Sequence, residues 1–190
     1  MNKTKRKIFE ASMKLFAEKG YDATSVEEIT ATVGVAKGTL YYHFSSKEEI
    51  YNFLLEEGIK LLINNIDIKI AKLNNSIDKI RAIILLQLRI LIKYEDLITI
   101  YLSQLWGIGE RNNTCKKYII EYINKIEDVV KEGINNKEIK SGDSFAIASE
   151  IFSLTSASFI YKIKMNQELD IKKMCQEFEI FISGLKAGEE

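Results

Sequence analysis

Proline is absent from the 190 residues, and histidine and tryptophan each occur once. Without proline, no helix is stopped by a locked φ and a missing N–H, so element ends must be sought at Asn, Gly and Ser. With His43 the single histidine, a Ser/His/Asp set has one place to form, and no metal-ligand spacing surrounds it. Cys115 and Cys175 have neither metal nor redox spacing, and two cysteines in this length fit a reducing cytoplasm. Gly107-x-Gly109 stands without a strand before it, so it is a poor phosphate loop. The stretch Ala82–Ile92 is apolar but too short to span a bilayer, and it contains Gln87 and Arg89. The start of the chain is charged and lacks the apolar run of a signal peptide. Charge of either sign is not in excess, since 27 basic residues balance 27 acidic ones. These absences argue against an enzyme, a metal or cofactor protein and a membrane protein.

What is present is helical periodicity. Hydrophobic content of 46% and charged content of 28% are ordinary for a globular chain, enough for one large core or a small domain plus a larger one. Apolar residues recur at i, i+3, i+4 and i+7, with no alternating strand pattern and no internal repeat. Breaks fall at Asn74-Asn75-Ser76, Gly107–Gly109, Asn112-Asn113-Thr114, Asn135-Asn136, Ser141-Gly142-Asp143 and Asn166-Gln167. The spacing predicts an all-α fold of about nine helices: Lys3–Lys19, a helix opening at Thr24 or Ser25, Lys37–His43, Lys47–Leu73, Ile77–Tyr94, Asp96–Trp106, Cys115–Ile134, Ser144–Lys164 and Ile171–Leu185.

The stretch Thr24–Ile50 carries the functional signal. Thr24 and Ser25 each have a glutamate three residues on, Glu27 and Glu28, so either can open a helix with a capping box. Val26, Ile29 and Val33 define its buried face, and Gly34 supplies the left-handed residue a tight turn needs. The next helix turns Leu40 and Phe44 inward. Its other faces carry Lys37, Gly38, Thr39, Tyr41, Tyr42 and His43. A surface helix without a task usually carries Glu, Lys and Gln. Here Gly38 permits close approach and Lys37 neutralises a phosphate. Thr39 reaches a base edge, and Tyr42, His43 and Lys47 donate to phosphate oxygens. A short helix of this kind after a glycine turn suits the major groove. Net charge gives no help, because residues 1–50 hold 8 basic and 7 acidic side chains. Placement matters instead, and Lys3, Lys5, Arg6 and Lys7 form a small basic arm where the first helix begins.

The run Gly34-Val35-Ala36-Lys37-Gly38-Thr39-Leu40-Tyr41-Tyr42-His43-Phe44, followed by Ser46-Lys47-Glu48-Glu49, resembles the DNA-binding signature of the TetR family of bacterial regulators. Phe16–Ser25 resembles the end of the same family's first helix, and the likeness extends over about residues 5–55. Two positions depart from the pattern: Thr30 stands where the family mostly has alanine, and Ala36 where a serine often caps the recognition helix. The resemblance implies a helix-turn-helix DNA-binding domain over residues 1–46 and a helical ligand-binding and dimerisation domain over 47–190. It implies base contacts from Lys37, Gly38 and Thr39, and phosphate contacts from Thr24, Tyr42, His43 and Lys47, with Tyr41 facing either way.

Two further sets follow. On Ser144–Lys164 the small residues Ala146, Ser149, Ser153 and Ala157 form a stripe, and the last helix repeats Met174, Phe178, Phe181 and Ile182. Periodicity alone favours ordinary core faces. The resemblance implies a homodimer paired through these two helices, which would set two recognition helices about 34–36 Å apart on a palindromic operator. Tyr101, Gln104, Trp106, Tyr118, Tyr122, Phe152 and Phe159 read singly as an aromatic core, and as a set they suit an apolar pocket. The resemblance implies a small inducer there, with repression released by ligand. Arg89 either reaches solvent, pairs with a core carboxylate or meets an anionic head group. The rival reading is a helical carrier of hydrophobic molecules, or an interaction module that does not bind DNA specifically.

Overall fold

The computed structural model describes residues 2–95, 98, 100 and 110–187, with the side chains of 110–112 excepted. Eight helices lie among the described residues: α1 Lys3–Lys19, α2 Val26–Val33, α3 Lys37–His43, α4 Lys47–Ile70, α5 Ser76–Lys93, α6 Glu110–Asn135, α7 Ser144–Lys164 and α8 Ile171–Leu185. There is no strand among them, only an isolated antiparallel bridge between Ile139 and Lys186. The fold is all-α. The helix expected over Asp96–Trp106 falls almost wholly outside the described residues. Two ends moved. Helix α4 stops at Ile70 rather than Leu73, its chain leaving through a turn closed by Leu73 N donating to Ile70 O. Helix α6 starts at Glu110, ahead of Cys115.

The helix ends obey local chemistry. Asn2 caps α1, its Oδ1 accepting from Lys5 N at 2.8 Å, and Gly20 ends it at φ 85°. The capping box of α2 is Ser25 with Glu28: Ser25 Oγ accepts from Glu28 N at 3.1 Å, and Glu28 Oε2 accepts from Ser25 N at 2.8 Å. Gly34 sits at φ 74°, ψ 39°, where a Cβ would be strained. Ala36 gives α3 no side-chain cap, as its identity predicts. Ahead of α4, Ser46 Oγ accepts from Glu49 N at 3.0 Å, but the Glu49 carboxylate turns back to Ser45 N at 2.6 Å. Asp143 and Asp170 cap α7 and α8 through pairs of backbone N–H groups.

The chain divides into two compact units, Met1–Ile59 with Tyr94–Tyr118, and Lys60–Lys93 with Ile119–Glu190. In the first, α1 packs on α2 and α3 around Ile8, Phe16, Ile29, Leu40, Phe44, Ile50 and Leu54, all buried. Tyr21 and Tyr51 meet edge to face at 5.1 Å beside Phe16. In the second, α5 packs against both α7 and α8. Its core holds Ile80, Ile83, Leu88, Ile126, Val130, Ile151, Phe159 and the α8 residues Met174, Phe178 and Ile182. By length and composition α7 is apolar enough to cross a membrane, a test that core helices of water-dissolved proteins also pass.

Candidate nucleic-acid interface

The α2–turn–α3 unit has one inward and one outward side. Leu40 and Phe44 are buried at 0% and 1% exposure, which fixes the roll of α3. That roll turns Lys37, Gly38, Tyr41 and Tyr42 to the surface, and leaves Thr39 and His43 half-buried. Tyr42 is 84% exposed and packs its ring edge to face with His43 at 5.0 Å. An exposed phenol beside an imidazole at the end of a short helix offers two donors to a phosphate backbone.

The cations of this unit are largely spoken for. Lys37 Nζ donates to Glu27 Oε1 at 2.5 Å, tying the first residue of α3 to α2. Lys19 pairs with Glu28 at 2.7 Å, Arg6 with Glu10 at 2.8 Å, and Lys14 with Glu18 at 3.8 Å. Lys5 lies over the Phe44 and Phe53 rings at 4.7 and 4.5 Å. The Lys37 ammonium holds the Glu27 carboxyl below its ordinary range, and Glu27 in turn raises Lys37. Lys19, with the backbone and hydroxyl of Ser25, lowers Glu28 to about 2.

Two expected phosphate ligands take structural roles instead. Thr24 is 1% exposed, and its Oγ1 donates to Gly20 O at 2.8 Å and Leu15 O at 3.2 Å, so the hydroxyl cannot reach a phosphate. Lys47 Nζ donates to Tyr21 O and Thr24 O, both at 2.8 Å, and lies 4.2 Å from the centre of the Tyr21 ring. It satisfies two carbonyls at the turn between α1 and α2 by hydrogen bonding. The sequence named Glu27 only as a capping candidate. Its pairing with Lys37 could have been suspected once Ser25–Glu28 was chosen as the box, which leaves Glu27 unused.

The helical unit contains a buried polar knot. Tyr122 Oη donates to Gln87 Oε1 at 2.8 Å, while Gln87 Nε2 donates to Ser156 Oγ at 3.2 Å and Phe152 O at 3.3 Å. Burial pushes the Tyr122 phenol above its ordinary value, so it stays a donor. The rings of Tyr122 and Phe152 meet at 5.9 Å, and Phe159 is buried. Of the expected pocket set, Tyr122, Phe152 and Phe159 therefore belong to this interior, and Tyr118 is half-buried. Tyr101, Gln104 and Trp106 lie outside the described residues. Arg89 does not join the interior. It is exposed, on a cleft of about 540 Å³ lined also by Leu85, Ile171, Lys172 and Cys175. Two positions separate it from Gln87 on α5, which turns the side chains to opposite sides.

The expected dimer face is also redrawn. Met174, Phe178 and Ile182 have 0%, 7% and 1% exposure, so they are committed to the chain's own core and have no surface to offer a partner. Ala146, Ser153 and Ala157 are exposed, and Ser149 and Phe181 half-buried. Beside them stand the exposed Leu154 and Tyr161, with Ile180 of α8 at 83%.

Residues 8–53 match the family model described as bacterial regulatory proteins, tetR family. A Clostridium perfringens protein described as a fatty acid metabolism regulator is 34% identical, with 93% of this chain and 96% of that one covered at a TM-score of 0.87. The chain belongs to the TetR family of transcriptional regulators. A fatty acid metabolism regulator of Bacillus subtilis is 25% identical over 94% of this chain and 93% of its own. The transcriptional regulator FadR from Bacillus subtilis, solved in complex with stearoyl-CoA, shares the fold at a TM-score of 0.85 and 24% identity, over 95% of this chain and 98% of that one. A TetR-family chain is a DNA-binding regulator.

Proposed function

We propose that the protein is a homodimeric repressor, acting in the cytoplasm, that binds a palindromic operator through α3 and is released by a fatty acyl thioester. The observation that carries the DNA half is the outward face of α3: Lys37, Gly38, Tyr41 and Tyr42 stand free of the core because Leu40 and Phe44 hold the helix from behind. Thr39 and His43 flank that face and complete the contact set. Residues 1–46 form the DNA-binding domain in this reading, and 47–190 the ligand-binding and dimerisation domain.

Self-association is supported by the exposed apolar and small residues of α7 and α8. Leu154, Tyr161 and Ile180 are costly to leave in water, and Ala146, Ser153 and Ala157 let a second helix approach closely. Phe181 takes the place of the buried α8 residues at the edge of this surface.

The ligand class rests on the two relatives described as fatty acid metabolism regulators and on the stearoyl-CoA held by the Bacillus subtilis structure. An apolar interior around Tyr122, Phe152 and Phe159, with the Gln87 amide as its polar group, suits an acyl chain with one carbonyl. The cleft on the other side of α5, with Arg89, Lys172 and the Glu179 carboxylate, lies apart from that interior and is not assigned to the acyl chain. The test is a gel-shift titration with the DNA flanking the protein's own gene, with and without stearoyl-CoA. The proposal expects a shift at lower protein concentration than for random DNA, reversed by stearoyl-CoA. Equal affinity for the two DNAs removes the regulator reading, and a shift that stearoyl-CoA leaves in place removes the ligand.

A further inference from the structure

The DNA face contains one acidic group in direct contact with one of its cations. Lys37 opens α3, and its ammonium is held by Glu27 on α2 at 2.5 Å. Both side chains are solvated, at 53% and 65% exposure, so the pair is loose enough to exchange. Several other cations nearby are engaged as well, while Lys3 and Lys7 of α1 are exposed. Lys47 donates to the carbonyls of Tyr21 and Thr24, and Lys19, Arg6 and Lys14 form solvated pairs with glutamates. Lys37 is the one lysine of α2 and α3, and Glu27 holds it, although the task of this face requires approach to a polyanion.

We propose that Glu27 is a discrimination residue: it occupies Lys37 away from the operator, and so weakens binding to DNA of arbitrary sequence more than binding to the cognate site. The inference rests on the DNA-binding reading. On arbitrary DNA, Lys37 acts only as a point charge toward phosphate. Each phosphate neutralised steepens the salt dependence of log K by about 0.9, and a lysine already paired does not contribute that release. There Glu27 is a pure loss, competing for the ammonium and standing near the phosphates. On the operator, α3 docks in register and Lys37 meets a base edge. Glu27 then steadies the lysine from behind or accepts from a cytosine amino group, so its cost is returned. The lowered Glu27 and raised Lys37 titrations are what a pair held in the free protein produces.

The experiment is equilibrium binding of the full-length protein to a labelled duplex of the DNA flanking its own gene and to a random-sequence duplex of equal length, across a salt series. Wild type, Glu27→Gln, Lys37→Ala and the double variant are compared. Glu27→Gln is expected to bind random DNA about three- to tenfold more tightly, with a salt slope steeper by about 0.9, while the cognate duplex changes by about twofold or less. In the Lys37→Ala background the gain on random DNA should vanish. The proposal is overturned if Glu27→Gln leaves the random-DNA slope unchanged, if both duplexes shift equally, or if the gain survives without Lys37. Wild type failing to prefer the cognate duplex would instead overturn the DNA-binding reading itself, so the two failures are separable.

Discussion

Lys47, the first residue of α4, donates from Nζ to the carbonyl of Thr24 at 2.8 Å, across 23 positions of sequence. A second bond to Tyr21 O and the face of the Tyr21 ring complete its surroundings. The start of α4 is thereby latched to the turn that positions α2. A displacement of α4 at this end must either drag that turn or break two charge-assisted bonds.

Replacing Lys47 with Met keeps the stem and removes the ammonium. The fold should lose about 1.5–3 kcal/mol in chemical denaturation, the range for hydrogen bonds to a charged group. DNA affinity should fall with the salt slope unchanged. A slope shallower by about 0.9 would instead mark Lys47 as a phosphate ligand.

Thr24 should behave as a core residue. Thr24→Val leaves the carbonyls of Leu15 and Gly20 short of a donor and should cost about 1 kcal/mol of stability. Affinity for DNA, measured well below the melting temperature, should be unaffected. A selective loss of DNA binding would restore the hydroxyl to the interface.

Exposed Tyr42 should separate the other way. Tyr42→Ala should alter stability by no more than about 0.5 kcal/mol, since the side chain is 84% exposed and packs its ring on neighbouring His43. It should weaken operator binding by about tenfold, within the range for a polar DNA contact. Leu40→Ala is the contrast: a fully buried side chain whose loss should cost about 2–5 kcal/mol and unfold the head before any DNA is offered.

Acid should loosen the head through Glu28. Its carboxyl sits at about 2 in the folded chain, against an ordinary 4.5. A depressed carboxylate stabilises the fold above its unfolded value and loses that contribution as pH falls through the folded one. The melting temperature of wild type should exceed that of Glu28→Gln near neutrality, and the gap should close between about pH 4.5 and about pH 2. A gap constant across that window would contradict the capping box and the Lys19 pair as its source.

The oligomer should depend on the exposed face of α7. Leu154→Glu places a charge among Ala157, Tyr161 and Ser153, away from the protomer's core. Sedimentation should report a monomer with helix content unchanged. A dimer that persists would move the interface elsewhere.

Much of this was legible in the chain before folding. The spans Lys3–Lys19, Lys37–His43, Ser144–Lys164 and Ile171–Leu185 follow from caps, glycines and apolar spacing, which are local properties. The inward turn of Leu40 and Phe44 follows from the same spacing. What spacing could not supply is which partner a side chain finds across a turn. Thr24 and Lys47 sit in the DNA-binding motif, yet their polar atoms reach the backbone of the preceding helix and turn. Likewise, Met174, Phe178 and Ile182 make as good a stripe for a partner as for a core. Periodicity is blind to that difference, and the packing of α5 on α8 decides it. Arg89 and Gln87 look like one polar pair in sequence, but the pitch of α5 sends one to solvent and the other inside.

The central claim is that the solvent face of α3 reads duplex DNA. Fluorescence anisotropy with the duplex flanking the protein's own gene, against random duplex at one stated salt concentration, tests it most directly when wild type is compared with Lys37→Ala/Tyr42→Ala. Wild type should prefer the flanking duplex by at least about a thousandfold, and the double variant, folded to the same extent, should lose most of that preference. Equal binding of the two duplexes by wild type, or a double variant that discriminates as well as wild type, would contradict the account.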